Sequence, residues 1–543
     1  MTAGWLHHLI IAPVLLPLVA GASLLLFDER RRALKATISL VSAILLLGIA
    51  VTLMGMADAA APAASVYLLG NWPAPFGIVL VLDRLSALML VLTSVLAIAS
   101  LVFALARWQR MGPHFHTIFQ LLLMGLNGAF LTGDLFNLFV FFEVLLASSY
   151  GLVLHGSGPT RVKAGLHYIA FNLAASALFL IGVSLLYGVT GTLNMADLAQ
   201  RIPLVAPEDR MLLEAGAAIL GIAFLVKAGV WPLSFWLPPA YAAAAAPVAA
   251  IFAILSKVGI YILLRLSLLF FGEGGGASAG FGSQWLLFGG MATIAFGLIG
   301  VLASQAMGRL AGYSVLVSSG TLLAAIGLDN AAITGGALFY MVSSTLAIAA
   351  FFLLIELVER GQDTAANVLA VTMEAYGDEY EDAVDEEVGL AIPATLAILG
   401  ACFAVCGILL IGLPPFSGFI AKFLLIASIF NPAGLGKPAD ISLSDWTLVT
   451  LIILSGLSAM IAMTRTGIRT FWASLEGKVP RVLVIEVAPV AGLLFLCLLL
   501  TIQAGPAMRY MEAVSQSLYA PQGYIDSVLG APRVGGGEGE GGR

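Results

Sequence analysis

Charged residues are scarce in this sequence. Aspartate, glutamate, lysine and arginine together make up only 10% of the 543 residues, whereas 60% of the residues are apolar. A soluble globular domain has roughly 25% charged residues. The composition therefore excludes a water-soluble globular protein and indicates a chain that is solvated by lipid. Nothing in it suggests a nucleic-acid partner.

Cysteine is scarcer still, with only Cys402, Cys406 and Cys497 in the chain. This number excludes a disulfide framework. Cys402 and Cys406 are four residues apart in an apolar run, but no second pair of Cys or His accompanies them, so packing is their better interpretation. The sequence also contains no phosphate-binding glycine motif and no cofactor-attachment motif. We therefore predict no metal site and no cofactor.

Long apolar runs, in contrast, recur along the whole chain. A transmembrane helix needs about 20 mostly apolar residues. The runs predict an all-α polytopic membrane protein with about fourteen transmembrane helices in a single membrane domain, residues 1–530. An acidic cytoplasmic loop is predicted at 358–390 and a disordered tail at 531–543. The predicted helices cover residues 6–26, 33–56, 79–104, 114–132, 135–156, 163–188, 212–245, 247–270, 284–305, 308–327, 332–357, 391–430, 447–472 and 484–504.

The basic residues predict the orientation of these helices. The loops on one side contain fourteen lysines and arginines, whereas the loops and tails on the other side contain seven. Because cytoplasmic loops are the richer in Lys and Arg, both termini are predicted outside a bacterial inner membrane. The cluster Arg30–Arg32 follows the first apolar run instead of preceding it, so this run is predicted to be a retained helix and not a cleaved signal.

Two of the predicted helices are too long for one crossing. At about 1.5 Å per residue, residues 212–245 would span about 51 Å and residues 391–430 about 60 Å. Each run has glycines and prolines near its middle, which predict a discontinuous helix. The two runs are five helices apart, so helices 4–8 (residues 114–270) and 9–13 (residues 284–472) are predicted to be two inverted repeats. Packing kinks without function remain the alternative. The prolines concerned are Pro232, Pro238, Pro239, Pro414 and Pro415.

Four charged residues interrupt the apolar runs near mid-depth: Glu143, Lys227, Lys257 and Lys422. A charge at the bilayer centre costs about 2.5–3.5 kcal/mol on insertion scales, so such residues are candidates for function. A carboxylate favours the charged form of a nearby lysine. We therefore predict a proton relay in which the separation of Glu143 from Lys227 controls proton release towards Lys257 and Lys422. Structural ion pairing is the alternative, although one glutamate does not neutralise three lysines.

Polar residues near these charges are predicted to hold water along the relay. They include Tyr241, Ser256 and Ser417, and His167 near the loop after the fifth helix is a candidate for proton entry. For each residue taken singly, helix packing is the alternative.

Several motifs around the charged residues resemble the proton-translocating core of antiporter-like subunits. They are Phe142-Glu143, the run from Lys227 to Tyr241 (KAGVWPLSFWLPPAY), the run from Ser256 to Tyr261 (SKVGIY), the run from Arg309 to Ser314 (RLAGYS) and the run from Gly412 to Phe423 (GLPPFSGFIAKF). This superfamily includes the Mrp/Pha cation/proton antiporter subunits and the membrane subunits of respiratory complex I. The resemblance covers roughly residues 80–475 and implies that Glu143, Lys227, Lys257 and Lys422 are translocation residues.

Within the superfamily, the chain looks most like the D-type subunits of the Mrp/Pha antiporters. The run from Phe339 to Phe352 and the acidic residues behind it carry this likeness, and a lysine at position 422 argues against the complex I subunit that has glutamate there. One departure is that Ser318, Ser343 and Ser344 stand where the superfamily often has histidine and lysine. The central relay is therefore predicted to run through water or to lack a link.

The resemblance implies a proton-translocating subunit of a Na⁺ or K⁺/proton antiporter, which works with other Mrp/Pha subunits and is not an enzyme. Two alternatives stay open. One is a proton-pumping membrane subunit of a complex I-like oxidoreductase or a membrane-bound hydrogenase. The other is a scaffold that retains ancestral charges.

Overall fold

A computed structural model describes residues 6–375, 394–432, 434, 440–472 and 482–533, without the side chains of residues 361–375. Within these residues the chain is almost entirely helical. One antiparallel strand pair, β1 (Ser65–Leu68) and β2 (Val79–Leu82), precedes the third long helix. The predicted all-α class is therefore confirmed, with this short hairpin as an addition.

The helices are numbered in chain order. They are α1 (Ala12–Leu25), α2 (Arg32–Ala60), α3 (Arg84–Ala106), α4 (Phe115–Leu131), α5 (Leu135–Val153), α6 (Pro159–Thr190), α7 (Met195–Arg201), α8 (Arg210–Ala228), α9 (Leu237–Ala243), α10 (Ala246–Phe271), α11 (Ser283–Ala303), α12 (Met307–Gly327), α13 (Ala331–Ala375), α14 (Ala394–Ile411), α15 (Ser417–Phe430), α16 (Leu443–Gly467), α17 (Val484–Ile502), α18 (Ala504–Tyr519) and α19 (Gln522–Leu529).

Twelve helices among the described residues are long and apolar enough to cross a membrane. The first and fourth predicted spans form the shorter apolar helices α1 and α4, of 14 and 17 residues. The exact number of fourteen spans therefore stays a prediction. The two inverted repeats also stay a prediction.

Both overlong segments are broken, as predicted. α8 ends at Ala228, and eight residues that include Pro232 separate it from α9, whose first turn contains Pro238 and Pro239. α14 ends at Ile411 and α15 begins at Ser417, with Pro414 and Pro415 between them. A glycine with positive φ follows each first half: Gly229 at 72° and Gly412 at 83°. Glycine adopts this left-handed conformation without the steric penalty that other residues have.

The core of the molecule lies around α10 and α13. In both helices 94% of the most apolar 18-residue window is buried inside the protein, compared with 28% in α14 and 33% in α17. An apolar helix that is buried all round belongs to the centre of a bundle. Lys257 lies in α10, and the serine pair Ser343 and Ser344 lies in α13, so the bundle centre contains polar side chains.

The structure corrects two predicted boundaries. The third predicted helix was placed from residue 79, but Val79–Leu82 is a strand, and α3 begins at Arg84 with Asp83 as its N-cap. The eleventh continues beyond residue 357 to Ala375, so residues 358–375 of the predicted acidic loop are helical. The stretch after Gly361 is rich in alanine and other helix-favouring residues and has no proline, which accounts for the continuation. The rest of that loop and most of the predicted tail lie outside the described residues.

Candidate functional site

Glu143 and Lys227 come from the middle of α5 and the last turn of α8. Lys227 is 8% exposed, and the Oε1 atom of Glu143 is buried without a hydrogen-bond partner. The charge of Glu143 acts on Lys227, but none of the ion pairs found among the described residues joins the two. In the structure the two residues are thus near enough for their charges to interact, but they do not form an ion pair.

An aromatic cluster surrounds this pair. The ammonium of Lys227 lies 4.8 Å from the centroid of the Phe142 ring, an arrangement that stabilises a cation electrostatically. Phe142 packs on Phe179 and Phe224, with centroid distances of 5.9 and 5.8 Å. These rings pack α5, α6 and α8 against each other beside the ammonium of Lys227.

Lys257 is the most buried lysine of the site, at 1% exposure, about halfway along α10. Its ammonium donates a hydrogen bond of 2.9 Å to the Ser318 hydroxyl and a longer one, 3.5 Å, to Ser319, both on α12. Ser318 is 3.0 Å from the Ser344 hydroxyl on α13. Ser318 and Ser344 therefore connect Lys257 to the next helix.

A cavity of about 40 Å³ continues from these serines to Lys422. One water molecule needs about 10–15 Å³ by this measure, so the cavity has room for about three. Its polar lining comes from four helices, α12, α13, α15 and α16. The polar residues that line it are Ser314, Ser318, Tyr340, Ser343, Ser344, Lys422 and Ser455.

Lys422 lies in α15, but its ammonium reaches back across the break. It donates to the carbonyl oxygens of Leu410 and Ile411, at 3.3 and 2.9 Å, in the last turn of α14. The last four carbonyls of a helix lack helical partners and carry partial negative charge, so a cation is favourable there. The second break is therefore occupied by the ammonium of Lys422.

At both breaks the two residues after the first half donate their amides to its last turn, Gly412 and Leu413 to the carbonyl of Ile408 at the second, but the further contacts differ. Gly229 and Val230 donate their amides to the last turn of α8, and the Trp236 indole donates to the carbonyl of Val226 at 3.2 Å. The amide of Trp231 donates to the Thr293 hydroxyl on α11 at 3.0 Å. The broken segment is thus held by backbone and tryptophan contacts, which leaves the ammonium of Lys227 free for the aromatic cluster and Glu143.

A large vestibule of about 910 Å³ opens at the beginning of α10. Tyr241 and His167 both line it. The Tyr241 hydroxyl donates to the carbonyl of Phe252 at 3.0 Å, and Ser256 donates to that of Ala253 at 3.3 Å. His167 is exposed and contacts the carbonyl of Lys163 through Nδ1. The structure therefore places His167 and Tyr241 at one entrance of the bundle, separate from the central cavity.

The rim of this vestibule carries a network of charged side chains that was not part of the site predicted from the sequence. Glu356 accepts a hydrogen bond of 2.7 Å from the Trp108 indole and one from Arg360, which also donates to Glu486 at 2.6 Å. Arg161 lies over the Trp108 ring at 4.8 Å and donates to the carbonyl of Ala243 at the end of α9. The spacing of Glu356 and Arg360, four residues apart at the end of an apolar run, was the available sequence signal.

His155 lies in the loop after α5, beside Trp108. Burial lowers the pKa of His155, and the positive charge of Arg161 lowers it further, against a hydrogen bond to the Trp108 carbonyl that raises it. The neutral imidazole donates from Nε2 to that carbonyl at 2.8 Å. A neutral histidine therefore helps to hold the loop next to the vestibule.

A second vestibule of about 850 Å³ opens at the other end of α10. Glu273 and Asp329 line it, and burial raises the pKa of Asp329. On the same side, Asp83 forms a buried ion pair of 2.8 Å with Arg265, eight residues after Lys257 on α10. Within the described part of the chain, no group of three or more His, Cys, Asp or Glu side chains is arranged to hold a metal ion.

Residues 132–435, which include Glu143, Lys227, Lys257 and Lys422, match the protein family described as "NADH:quinone oxidoreductase/Mrp antiporter, TM". A protein of Rhizobium meliloti (strain 1021), named as the probable D-type subunit of a K⁺/H⁺ antiporter, is 65% identical over 534 residues, 98% of this chain and 99% of that protein. The corresponding D-type subunit of a Na⁺/H⁺ antiporter from Alkalihalophilus pseudofirmus is 32% identical over 96% of this chain and 100% of that protein.

The fold is similar to a chain in the solved structure of the Mrp complex from Dietzia sp. DQ12-45-1b. The TM-score is 0.79 at 25% sequence identity, and the match covers 97% of this chain and 99% of that chain. Likeness of sequence and likeness of fold thus agree over nearly the whole length. The chain therefore belongs to the NADH:quinone oxidoreductase/Mrp antiporter family, and within it to the D-type subunits of the Mrp/Pha antiporters.

Proposed function

We propose that the chain is a proton-translocating subunit of a multi-subunit monovalent cation/proton antiporter, a transporter component and not an enzyme. The observation that carries this proposal is the series of buried cations on two broken helices and the central helix α10, with hydroxyl groups and a cavity between them. Membership of the D-type antiporter subunits supports the same activity.

The first step of the relay is the exchange between Glu143 and Lys227. When the carboxylate approaches the ammonium, it favours the charged lysine, and when the two separate, burial disfavours the charge. The unpaired Oε1 of Glu143 and the aromatic contact of Lys227 fit the separated arrangement. Movement of α5 relative to α8 then controls when Lys227 releases its proton.

The second step links Lys257 to Lys422. The hydroxyls of Ser318 and Ser344 donate and accept hydrogen bonds, so they and about three water molecules in the 40 Å³ cavity form a chain along which a proton moves. No histidine or additional lysine is needed at this point. Of the two possibilities for the central relay, the contacts favour the water-based one over a missing link.

The two vestibules supply the ends of the pathway. Tyr241 and His167 line the 910 Å³ vestibule, and Ser256 lies deeper on α10. From the distribution of basic residues we assign this vestibule to the cytoplasmic side, with both termini outside. The prolines at the two breaks, Pro232, Pro238, Pro239, Pro414 and Pro415, keep the helices interrupted, so that backbone groups remain accessible to protons. We place the chain in the bacterial inner membrane with this orientation.

The cation and the partners are taken from the relatives. The 65% identical relative is named for K⁺ and the 32% identical one for Na⁺, so K⁺ is the first cation to test. The partners are the other subunits of an Mrp/Pha antiporter complex, in which this chain moves protons while the cation leaves the cell.

The test uses membrane vesicles that contain the assembled complex. Addition of K⁺ or Na⁺ is expected to collapse an imposed pH gradient, whereas choline is not. Lys227→Ala is expected to abolish the collapse, with Glu208→Ala, which removes an exposed carboxylate before α8, as the matched control. Full activity of Lys227→Ala at wild-type levels of assembled complex would refute the proposed relay.

A proton-pumping subunit of a redox complex is the second candidate, because the family description covers both kinds of protein. Co-purification with iron–sulfur or flavin subunits, together with quinone-dependent proton transport, would favour it. A scaffold role predicts instead that neutral substitutions of the buried charges change assembly and leave transport intact.

A further inference from the structure

A groove of about 340 Å³ lies on the side of the bundle, between α8, α10 and α11. Most of its lining residues are within 217–225 of α8 and 263–271 of α10. None of the described residues that line it is charged, and the hydroxyl of Ser267 donates to the carbonyl of Leu264 at 3.2 Å. Pockets that hold a small ligand have about 300–1,000 Å³. The groove therefore has the size of a ligand site and suits an apolar ligand.

The groove opens on the side of the bundle that faces the membrane. Trp285 on α11 and Ile222 on α8 line it, and they are 82% and 41% exposed. Phe288, one turn after Trp285, is exposed as well. Gly221 also lines the groove, and a Cβ atom at this position would meet no atom within 4 Å. The small side chain at 221 thus leaves the groove open to an occupant from outside the chain.

The length of the groove matches one leaflet of a bilayer. Its lining on α8 extends from Ala217 to Leu225, which is about 12 Å at about 1.5 Å per residue. The hydrocarbon core is about 30 Å thick, so one leaflet contributes about 15 Å. Trp285 is the third residue of α11, and tryptophan is enriched where a membrane meets water. The groove therefore extends from one membrane surface towards the middle of the bilayer, as an acyl chain does.

Two opposite charges lie beyond the end of the groove that is nearer the membrane surface. Arg210 is the first residue of α8, seven residues before Ala217 and hence on the same face of the helix, and Glu214 lies one turn after it. None of the ion pairs found in the described part of the chain includes either residue. Glu214 accepts a hydrogen bond of 2.8 Å from the Ser278 hydroxyl. A guanidinium binds a phosphate, and a carboxylate attracts an ammonium.

We propose that the groove binds one acyl chain of a zwitterionic phospholipid with a primary ammonium, whose phosphate lies at Arg210 and whose ammonium lies at Glu214. The acyl chain enters beside Trp285 and follows α8 towards the middle of the membrane. A free fatty acid has the same acyl chain but no ammonium, and a helix of another subunit would fill the groove with protein. The two charges at its end favour the phospholipid over both.

The deep part of the groove lies next to the aromatic cluster around Lys227. Phe224 lines the groove and is 1% exposed, and its ring packs on that of Phe142 at 5.8 Å. The ammonium of Lys227 lies 4.8 Å from the centroid of Phe142. A bound acyl chain therefore contacts the outer ring of this cluster. The lipid site rests on its own contacts and stands whether or not the proton relay does.

The first experiment uses a phosphatidylethanolamine with a diazirine near the end of one acyl chain, in vesicles that contain the assembled complex. Irradiation is expected to label residues 217–225, 263–271 or 281–286, located by peptide mass spectrometry. Gly221→Leu fills the groove and is expected to lower this labelling about tenfold. Gly188→Leu is the matched control, because Gly188 is exposed on α6, has open space at its Cβ position and does not line the groove. Equal labelling in the two variants would overturn the inference.

The second experiment tests the headgroup. Wild-type complex is expected to be labelled about tenfold more by the ethanolamine lipid than by a fatty acid with the same diazirine. Glu214→Gln retains an acceptor for the Ser278 hydroxyl but removes the charge, and it is expected to abolish this preference. Equal labelling of the wild type by the two probes would show that the site does not recognise the headgroup, and it would overturn the assignment to a phospholipid.

The third experiment tests whether protein covers the groove in the assembled complex. Ile222→benzoylphenylalanine places a photoreactive ring at the mouth of the groove and is expected to form cross-links to lipid. A cross-link from this position to another subunit would overturn the inference, because a protein segment would then occupy the place of the acyl chain.

Discussion

The two broken helices hold their lysines in different ways. Backbone amides close the last turn of the first half at both breaks, but at the first break the Trp236 indole adds a contact to the carbonyl of Val226, and the ammonium of Lys227 contacts the Phe142 ring. At the second break, the ammonium of Lys422 itself contacts the carbonyls of α14. Lys227 has a carboxylate within electrostatic reach, whereas Lys422 has neutral oxygens. The comparison indicates that the charge of Lys227 responds to a nearby carboxylate, whereas the ammonium of Lys422 is held by neutral backbone oxygens.

The largest expected effect is at Lys257, which connects the two regions. Lys257→Met is expected to lower proton transport by about 100-fold, because a positioned proton donor typically contributes 10²–10⁴-fold. The rate of pH-gradient collapse per assembled complex measures it. Lys163→Met, at an exposed lysine of α6, is the control. A rate within twofold of the wild type for Lys257→Met would show that the two regions work without this link.

Gly412→Ala and Gly229→Ala test whether the breaks differ as described. Both glycines have positive φ, where a Cβ atom costs about 1–2 kcal/mol. A Cβ at Gly412 would lie 2.7 Å from Cδ of Lys422, whereas one at Gly229 would lie 2.5 Å from the Leu237 side chain. We therefore expect Gly412→Ala to lower transport per assembled complex about tenfold, a change of about 1.4 kcal/mol. Gly229→Ala should mainly lower the amount of complex.

The control for both is Gly188→Ala, since a Cβ at this helical position meets no atom within 4 Å. Equal losses of specific transport in the Gly412 and Gly229 variants would remove the distinction between the two breaks.

An effect of similar size is expected at the serines between the regions. Ser318→Ala removes the 2.9 Å partner of the Lys257 ammonium, and a buried charged group left without its partner costs about 1–3 kcal/mol. Transport is expected to fall about tenfold. Ser319→Ala, which removes only the 3.5 Å contact, should have the weaker effect. If Ser319→Ala lost more transport than Ser318→Ala in the same vesicles, the relay would not run through Ser318.

The smallest effect concerns pH and the loop next to the first region. Burial lowers the pKa of His155, so the folded state binds this proton less readily than the unfolded state. The contribution of neutral His155 to the stability of the folded state is therefore fully present above pH 6.5, about the pKa of histidine in the unfolded state. It is lost as the pH falls through the lower pKa that His155 has in the folded state. Thermal unfolding of the complex at pH 7.5 and pH 5.5 measures it.

His155→Gln keeps a side-chain donor near the Trp108 carbonyl but does not titrate. Its melting temperature is expected to fall less on acidification than that of the wild type, by a difference on the order of 1 °C. If the wild type and the variant respond identically, His155 does not titrate in this loop.

The broken helices were predictable because helix length and proline position are local properties. Residues 212–245 and 391–430 exceed the bilayer thickness, and their prolines lie near the interruptions that the structure contains. The burial of Lys227 and Lys257 was predictable for the same reason, because a charged residue in the middle of a long apolar helix lies far from either aqueous surface. Element type along the membrane domain therefore followed from composition and spacing.

Tertiary contacts were less accessible to prediction. The carbonyl contacts of Lys422 depend on the angle between α14 and α15, and the central cavity is lined by residues from six helices, so neither has a local pattern. The β1–β2 hairpin was missed because a short apolar strand next to a helix resembles the start of that helix. α18 and α19, which follow the last predicted span, have polar faces and lie outside a search for apolar runs.

The coupling between Glu143 and Lys227 is central to the proposed relay, and a double-mutant cycle measures it directly. Cation-driven collapse of the pH gradient is compared for the wild type, Glu143→Gln, Lys227→Gln and the double variant, each normalised to assembled complex. Residues that act as a unit are strongly non-additive. We predict that the double variant is no slower than the slower single variant. A double variant whose loss is the product of the two single losses would contradict the proposed control of proton release by Glu143 and Lys227. A single variant at the wild-type rate would contradict it as well.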